Sequence, residues 1–164
     1  MPITTDQPDE NEALLRLREQ LQTESNDGLK LSKDVKDNPV CALTIDENVP
    51  CATVVWKRHA TSTQLRFIHE NILHHLTFHQ LKGVLGDSTA LLTIYAEDQR
   101  WIRENWFPRA QAAGLKACAS KWPRSYLGKL AVEATQTGAP SGLELRSFEK
   151  FEDARDWLRS VLAR

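Results

Sequence analysis

The chain lacks an excess of charge of either sign: 21 Lys and Arg stand against 22 Asp and Glu, a formal net charge of -1. No global field would draw it to nucleic acid or to an anionic membrane. No apolar run is long enough to span a bilayer. The opening MPITTDQPDENEALL is acidic, with neither the basic start nor the apolar centre of a signal peptide. The expectation is a cytoplasmic protein with no integral membrane association and no nucleic-acid partner.

Cysteine is scarce, and Cys41, Cys51 and Cys118 form no C-x-x-C pair. With Asp46-Glu47-Asn48 as a hairpin tip, Cys51 faces Leu43 rather than Cys41, out of register for a disulfide. Reduced thiols behaving as small apolar side chains are expected. Catalytic signatures are missing too: there is no G-x-S-x-G elbow, no P-loop and no dinucleotide fingerprint. The sequence therefore points away from an enzyme and implies no cofactor.

What is present is alternation. At 164 residues the chain can hold a core without metals or disulfides. Met1–Asp9 is polar and proline-punctuated, the composition of a disordered tail. Glu10–Thr23 carries Leu14, Leu17 and Leu21 at helical spacing, capped by Asp9 and stopped at Asn26-Asp27-Gly28. A stripe this narrow needs a cover, either the domain itself or a second copy, and a homodimer through this helix is the expectation. The organisation is thus a tail and helix over 1–27 and an α/β domain over 28–164.

Val40–Ile45 and Ala52–Trp56 predict an antiparallel hairpin, with a shorter strand near Leu29–Ser32 before it. Thr61 or Ser62 caps a helix with Leu65, Ile68, Ile72 and Leu76 on one side. Gly83-Val84-Leu85 predicts a central strand, and Glu97–Ala113 a crossover helix that Pro108 bends near Glu104 and Gly114 ends. Leu115–Ala119 predicts a strand. Ser125–Thr137 predicts a helix with Leu127, Leu130, Ala131 and Ala134 inward, and Leu143–Arg146 the last strand. Phe151–Leu162 closes the chain as a helix with Phe151, Ala154, Leu158 and Val161 inward. A parallel pair needs such crossovers, so a mixed sheet, parallel in its second half, follows.

A hairpin, a helix, a strand ending VLGDS, the helix EDQRWIRENWFPRA, then AGLK before a strand and a closing FEKFEDARDWL resemble small bacterial proteins of the STAS-like group. That fold is shared with anti-sigma-factor antagonists and lipid-transfer CRAL-TRIO domains. The resemblance covers about Leu29 to Arg164. It implies a mixed sheet covered by helices and no assigned activity. Antagonists of this type are switched by phosphorylation of a serine that follows an aspartate at the start of the crossover helix. Here that place reads Tyr95-Ala96-Glu97-Asp98, with no hydroxyl after the acid, while Asp87-Ser88 ends the preceding strand.

In open α/β sheets ligands gather at the carboxyl ends of the strands. That rule selects Asp87, Ser88, Thr93, Glu97, Trp101, Trp122 and Arg124 as a partner- or ligand-binding edge. The alternative for Asp87 and Ser88 is an ordinary solvated turn. Trp101 and Ile102 are adjacent, as are Trp106 and Phe107, and a helix cannot turn both members of each pair to the same face, so one ring is expected to stay partly exposed. Trp122 is a second exposed ring. His75 and His79, one helical turn apart, are the candidate metal pair, without a third ligand or a zincin glutamate. The functional expectation is a regulatory or protein-interaction module. The alternative is a carrier or sensor of a small apolar, lipid-like ligand between sheet and helices.

Overall fold

The computed structural model describes residues 34–37 and 39–164, all within the compact unit Lys33–Arg164. The expected tail, the helix Glu10–Thr23 with its stop at Gly28, and the strand at Leu29–Ser32 lie outside the described residues.

Six strands form one sheet in chain order: β1 (Asp34–Asp37), β2 (Cys41–Asp46), β3 (Cys51–Trp56), β4 (Gly83–Asp87), β5 (Ala117–Lys121) and β6 (Glu144–Phe148). β1, β2 and β3 are antiparallel, and β3 to β6 are parallel. The expected mixed α/β architecture is what the chain adopts. Because the parallel strands follow one another without reversal, right-handed connections leave all three crossovers on one face. These are α1 (Ser62–Phe78), the segment after β4, and α4 (Tyr126–Thr137). α5 (Phe151–Leu162) returns across the other face, where Leu158 and Ala154 meet Cys51, Leu85, Ala117 and Ala119. It can lie close because Cys51, Ala117 and Ala119 are small. A Cβ added at Gly83 would come within 2.7 Å of Leu162 Cδ1.

The hairpin is longer than expected. Its loop is Glu47–Pro50, and the ladder pairs Cys51 with Asp46, Leu43 with Val54 and Cys41 with Trp56. Asp46 stays in the strand because its carboxylate accepts the Asn48 amide at 3.0 Å and closes the turn behind it. The predicted facing of Cys51 with Leu43 is therefore corrected, and Cys41 and Cys51 stand at opposite ends of the ladder.

Thr61 caps α1 through a reciprocal box with Gln64, and Leu65, Ile68, Ile72 and Leu76 are buried as the spacing predicts. After β4 the crossover splits into α2 (Ala96–Trp101), a π-helical turn (Ile102–Trp106) and α3 (Phe107–Ala112). Pro108 has no amide to offer Glu104, and the preceding Phe107 amide reaches back five residues to Ile102. The expected bend is absorbed as this wide turn. Ile102, Trp106 and Phe107 are buried and Trp101 is the ring left partly exposed, as predicted. The segment is flanked on both sides: Trp106 bonds to α1 and Arg103 to the Ala134 carbonyl of α4. More than one of its faces is thus covered.

Gly114, at φ +113, ends α3, and the Leu115 amide still returns to Ala110 at 2.9 Å. Leu115 therefore closes the helix, and β5 starts at Ala117 rather than Leu115. β6 likewise runs two residues beyond the predicted Arg146.

The inward face of α4 differs most from expectation. Gly128, Ala131, Val132 and Thr135 are buried, while Leu127, Leu130 and Ala134 face solvent. Gly128 sets this rotation. A Cβ there would meet the Leu91 carbonyl at 2.8 Å and Pro123 Cβ at 2.7 Å, so the bare glycine alone lets the helix sit against the loop after β4. Gly128→Ala should therefore destabilise by about 1–3 kcal/mol through overpacking. That exceeds the gain of about 1 kcal/mol that alanine brings to an unconstrained helix. Urea unfolding of the two proteins checks the sign, and a stabilised alanine variant would remove this account of the rotation.

Candidate functional site

Residue parity divides the carboxyl edge of the sheet. Val55, Asp87, Lys121 and Phe148 stand in one register row, on the α5 face. Val55, Asp87 and Lys121, with Glu149, Lys150, Phe151 and Glu152, line an open hollow of about 470 Å³. Asp87 is occupied locally: its Oδ1 accepts the Thr89 amide at 3.0 Å and the Thr89 hydroxyl at 2.6 Å. Ser88 is buried, and its amide donates to the Lys121 carbonyl at 3.3 Å. Asp87 thus satisfies a turn, while the Ser88 amide extends the β4–β5 pairing. Thr93 and Glu97 belong to the loop and helix over the opposite face and do not line the hollow.

The acid that turns inward is Asp98, one residue after the predicted Glu97, which is exposed. Asp98 accepts from Ser62 Oγ at 2.5 Å and from Arg66 Nε at 2.8 Å, tying α2 to the first turn of α1. Two adjacent acids at a helix start read alike as dipole complements, so nothing in the sequence separated them. Trp101 is no free ring. Arg66 lies over it at 5.2 Å and Arg109 at 5.9 Å, and Arg109 is held by Glu70 and by Asn105. Trp122 is half-buried, its amide donating to the Phe148 carbonyl at 2.8 Å. Arg124 is exposed, with its amide on the Thr89 carbonyl at 3.1 Å. Both rings are thus partly exposed, Trp101 beneath two arginines and Trp122 at the end of β5.

His69 stands between Trp56, Trp101 and Trp106, with ring centroids 6.4, 6.1 and 4.9 Å away. Its Nδ1–H donates to the Leu65 carbonyl at 2.8 Å, and burial pushes its pKa down to about 4. Beneath α1 and the crossover, Ile68, Ile72, Ile102, Trp106 and Phe107 fill the interior. His75 and His79 stack in parallel at 5.6 Å. Burial, with the charge of His74, lowers the pKa of His79. No group of three or more metal-ligating side chains gathers among the described residues. Burial also raises the thiol pKa of Cys51 and of Cys118 to about 12, which keeps both protonated near neutrality.

The feature that sequence reasoning missed is apolar and outward. Leu92 is 59% exposed, Tyr95 55%, Tyr126 73%, Leu127 65% and Leu130 43%. They share one rim. Ser125 Oγ, the cap of α4, donates to the Leu92 carbonyl at 2.6 Å, fixing the loop after β4 beside the first turn of α4. Tyr95 closes that loop and meets His59 edge-on at 6.2 Å. Along α4, Leu127, Leu130 and Ala134 recur at i, i+3 and i+7, a second apolar stripe beside the one that faces the sheet. The signal was in the sequence. Six apolar or small residues among 127–135 are too many for one narrow face, and a single inward stripe was assumed.

No family model matches the chain, and no curated protein is similar enough to it to count as a relative.

Proposed function

We propose that this protein is a non-enzymatic, STAS-like interaction module that accepts an amphipathic helix of acidic character along the outward stripe of α4 and the Leu92–Tyr95 loop. One observation carries the reading: α4 has two apolar stripes, and the fold uses only one. A surface helix normally keeps its second face polar. Contiguous exposed apolar side chains rimmed by charge are the mark of a contact surface. The spacing of Leu127, Leu130 and Ala134 suits a helix laid alongside, its own i, i+3, i+7 anchors meeting theirs. The neighbouring charges carry an excess of cations. Arg58, Arg124 and Lys129 adjoin His59, Ser125 and Leu130 in the chain, against the acids Glu97 and Glu133, and none of the five forms an ion pair among the described residues. Cations at such a rim favour an acidic partner and speed its approach.

Selection of a random peptide library on the full chain, counter-selected on a Leu127→Ser/Leu130→Ser variant, tests this. Enriched peptides should be net acidic with apolar residues at helical spacing. Basic or patternless peptides, or none sensitive to the two serines, would reject the reading.

A further inference from the structure

The sheet ends at β1 on one side and at β6 on the other. The register of β1 shifts between Asp34 and Lys36, an irregularity of the kind that keeps an edge from pairing further. β6 has none: Glu144 to Phe148 pairs with Ala117 to Lys121 residue for residue. In a parallel ladder, alternate residues of a strand bond to the same neighbour. The Glu144 amide donates to the Lys116 carbonyl at 3.0 Å, and the Phe148 carbonyl accepts from the Trp122 amide at 2.8 Å. Glu144, Arg146 and Phe148 therefore bond to β5, and the amides and carbonyls of Leu145 and Ser147 point away from the sheet. No described residue bonds them. Such a row of unpaired backbone groups is a template for one more strand.

We infer that β6 of one copy pairs antiparallel with β6 of a second copy, about a two-fold axis at Leu145, so that the two sheets run on as one. The charges choose both the partner and the register. Glu144 and Arg146 are exposed and stand in the rows of Ala117 and Ala119, on the α5 face. With the axis at Leu145, Glu144 of each copy lies opposite Arg146 of the other. These are the close pairs, with Cα atoms about 4.5 Å apart, in which side chains meet most directly. Leu145 faces its own counterpart and exchanges both backbone bonds with it. An axis at Arg146 would set that residue against itself, and like charges directly opposite destabilise. An axis at Ser147 would draw Glu149 and Lys150 into the ladder, where the chain already turns into α5. The order Glu-x-Arg complements itself when reversed, so a second copy supplies the matching strand by construction, and a two-fold pair closes without leaving either β6 open. Neither α4 nor the Leu92–Tyr95 loop takes part, so the inference is independent of the proposed function.

Sedimentation velocity on the full chain over a dilution series, at low ionic strength, tests the inference. Wild type should be a dimer that dissociates on dilution. Glu144→Arg and Arg146→Glu each set like charges opposite one another at both crossings, and each should raise the dissociation constant at least about tenfold. The double variant Glu144→Arg/Arg146→Glu restores both pairs and should return to the dimer. An equimolar mixture of the two single variants should do the same, which also shows both to be folded. Hydrogen exchange at the Leu145 amide should slow at concentrations where the dimer forms. A monomeric wild type, a dimer indifferent to the single reversals, or a double variant and mixture that both stay monomeric overturns the inference. A dimer whose Leu145 amide exchanges as fast as in the dilute monomer also overturns it, because the contact then lies elsewhere.

Discussion

Trp106→Ala should lower the free energy of unfolding by about 4 kcal/mol, the range of an aromatic deleted from a packed interior. The ring is 2% exposed, lies edge-on to His69 at 4.9 Å and tilts against Phe107 at 5.6 Å. Its Nε1–H donates at 2.6 Å to the His69 carbonyl, the bond that holds the π-turn to α1. Trp106→Phe keeps most of the ring but leaves that acceptor without this donor, so about 1–2 kcal/mol of the loss should remain. Urea unfolding of the three proteins gives both numbers. An alanine variant within about 1 kcal/mol of wild type would mean that the crossover is held by something other than this indole.

The second large effect is on acid stability. The pKa of His69 falls from 6.5 to about 4 because burial among three tryptophans disfavours the imidazolium. Between those values the unfolded chain binds a proton at this position and the folded chain does not. Stability therefore falls as pH drops from 6.5 toward 4, and is unchanged by this group above 6.5. The loss across the window is about 3 kcal/mol. His69→Gln, which preserves a donor for the Leu65 carbonyl, should be less stable near neutrality but lack this slope. Unfolding free energies at pH 7 and at pH 4.5 for both proteins provide the check. Equal pH dependence in the two would show that His69 is protonated in the folded state.

The elements were legible where local chemistry and packing agree. Thr61 and Gln64 make a capping box whatever surrounds them, and Leu65, Ile68, Ile72 and Leu76 have one way to be buried on that helix. The residues Phe151–Leu162 were recovered to their ends because a strongly amphipathic helix leaves a single choice of face. α4 was read to its boundaries, yet its face was misjudged. Two stripes compete there, and the choice belongs to Gly128, whose empty side chain matters only once the Leu91 carbonyl and Pro123 are beside it. The same holds for the acids at the start of α2. Glu97 and Asp98 are equivalent to the helix dipole, and only the position of Ser62 and Arg66, more than thirty residues earlier, makes Asp98 the buried partner.

By itself the sequence determined the order and type of the elements, the antiparallel start and parallel finish of the sheet, and the absence of familiar catalytic motifs. These depend on hydrophobic period, caps and breakers, all of which act within a few residues. Only the tertiary structure decided which way α4 turns, that Trp101 is clasped by two arginines, and that an unused apolar stripe lies beside the Leu92–Tyr95 loop. Those outcomes are set by contacts between segments distant in the chain, where a missing methyl or a single carbonyl chooses between faces of nearly equal hydrophobicity.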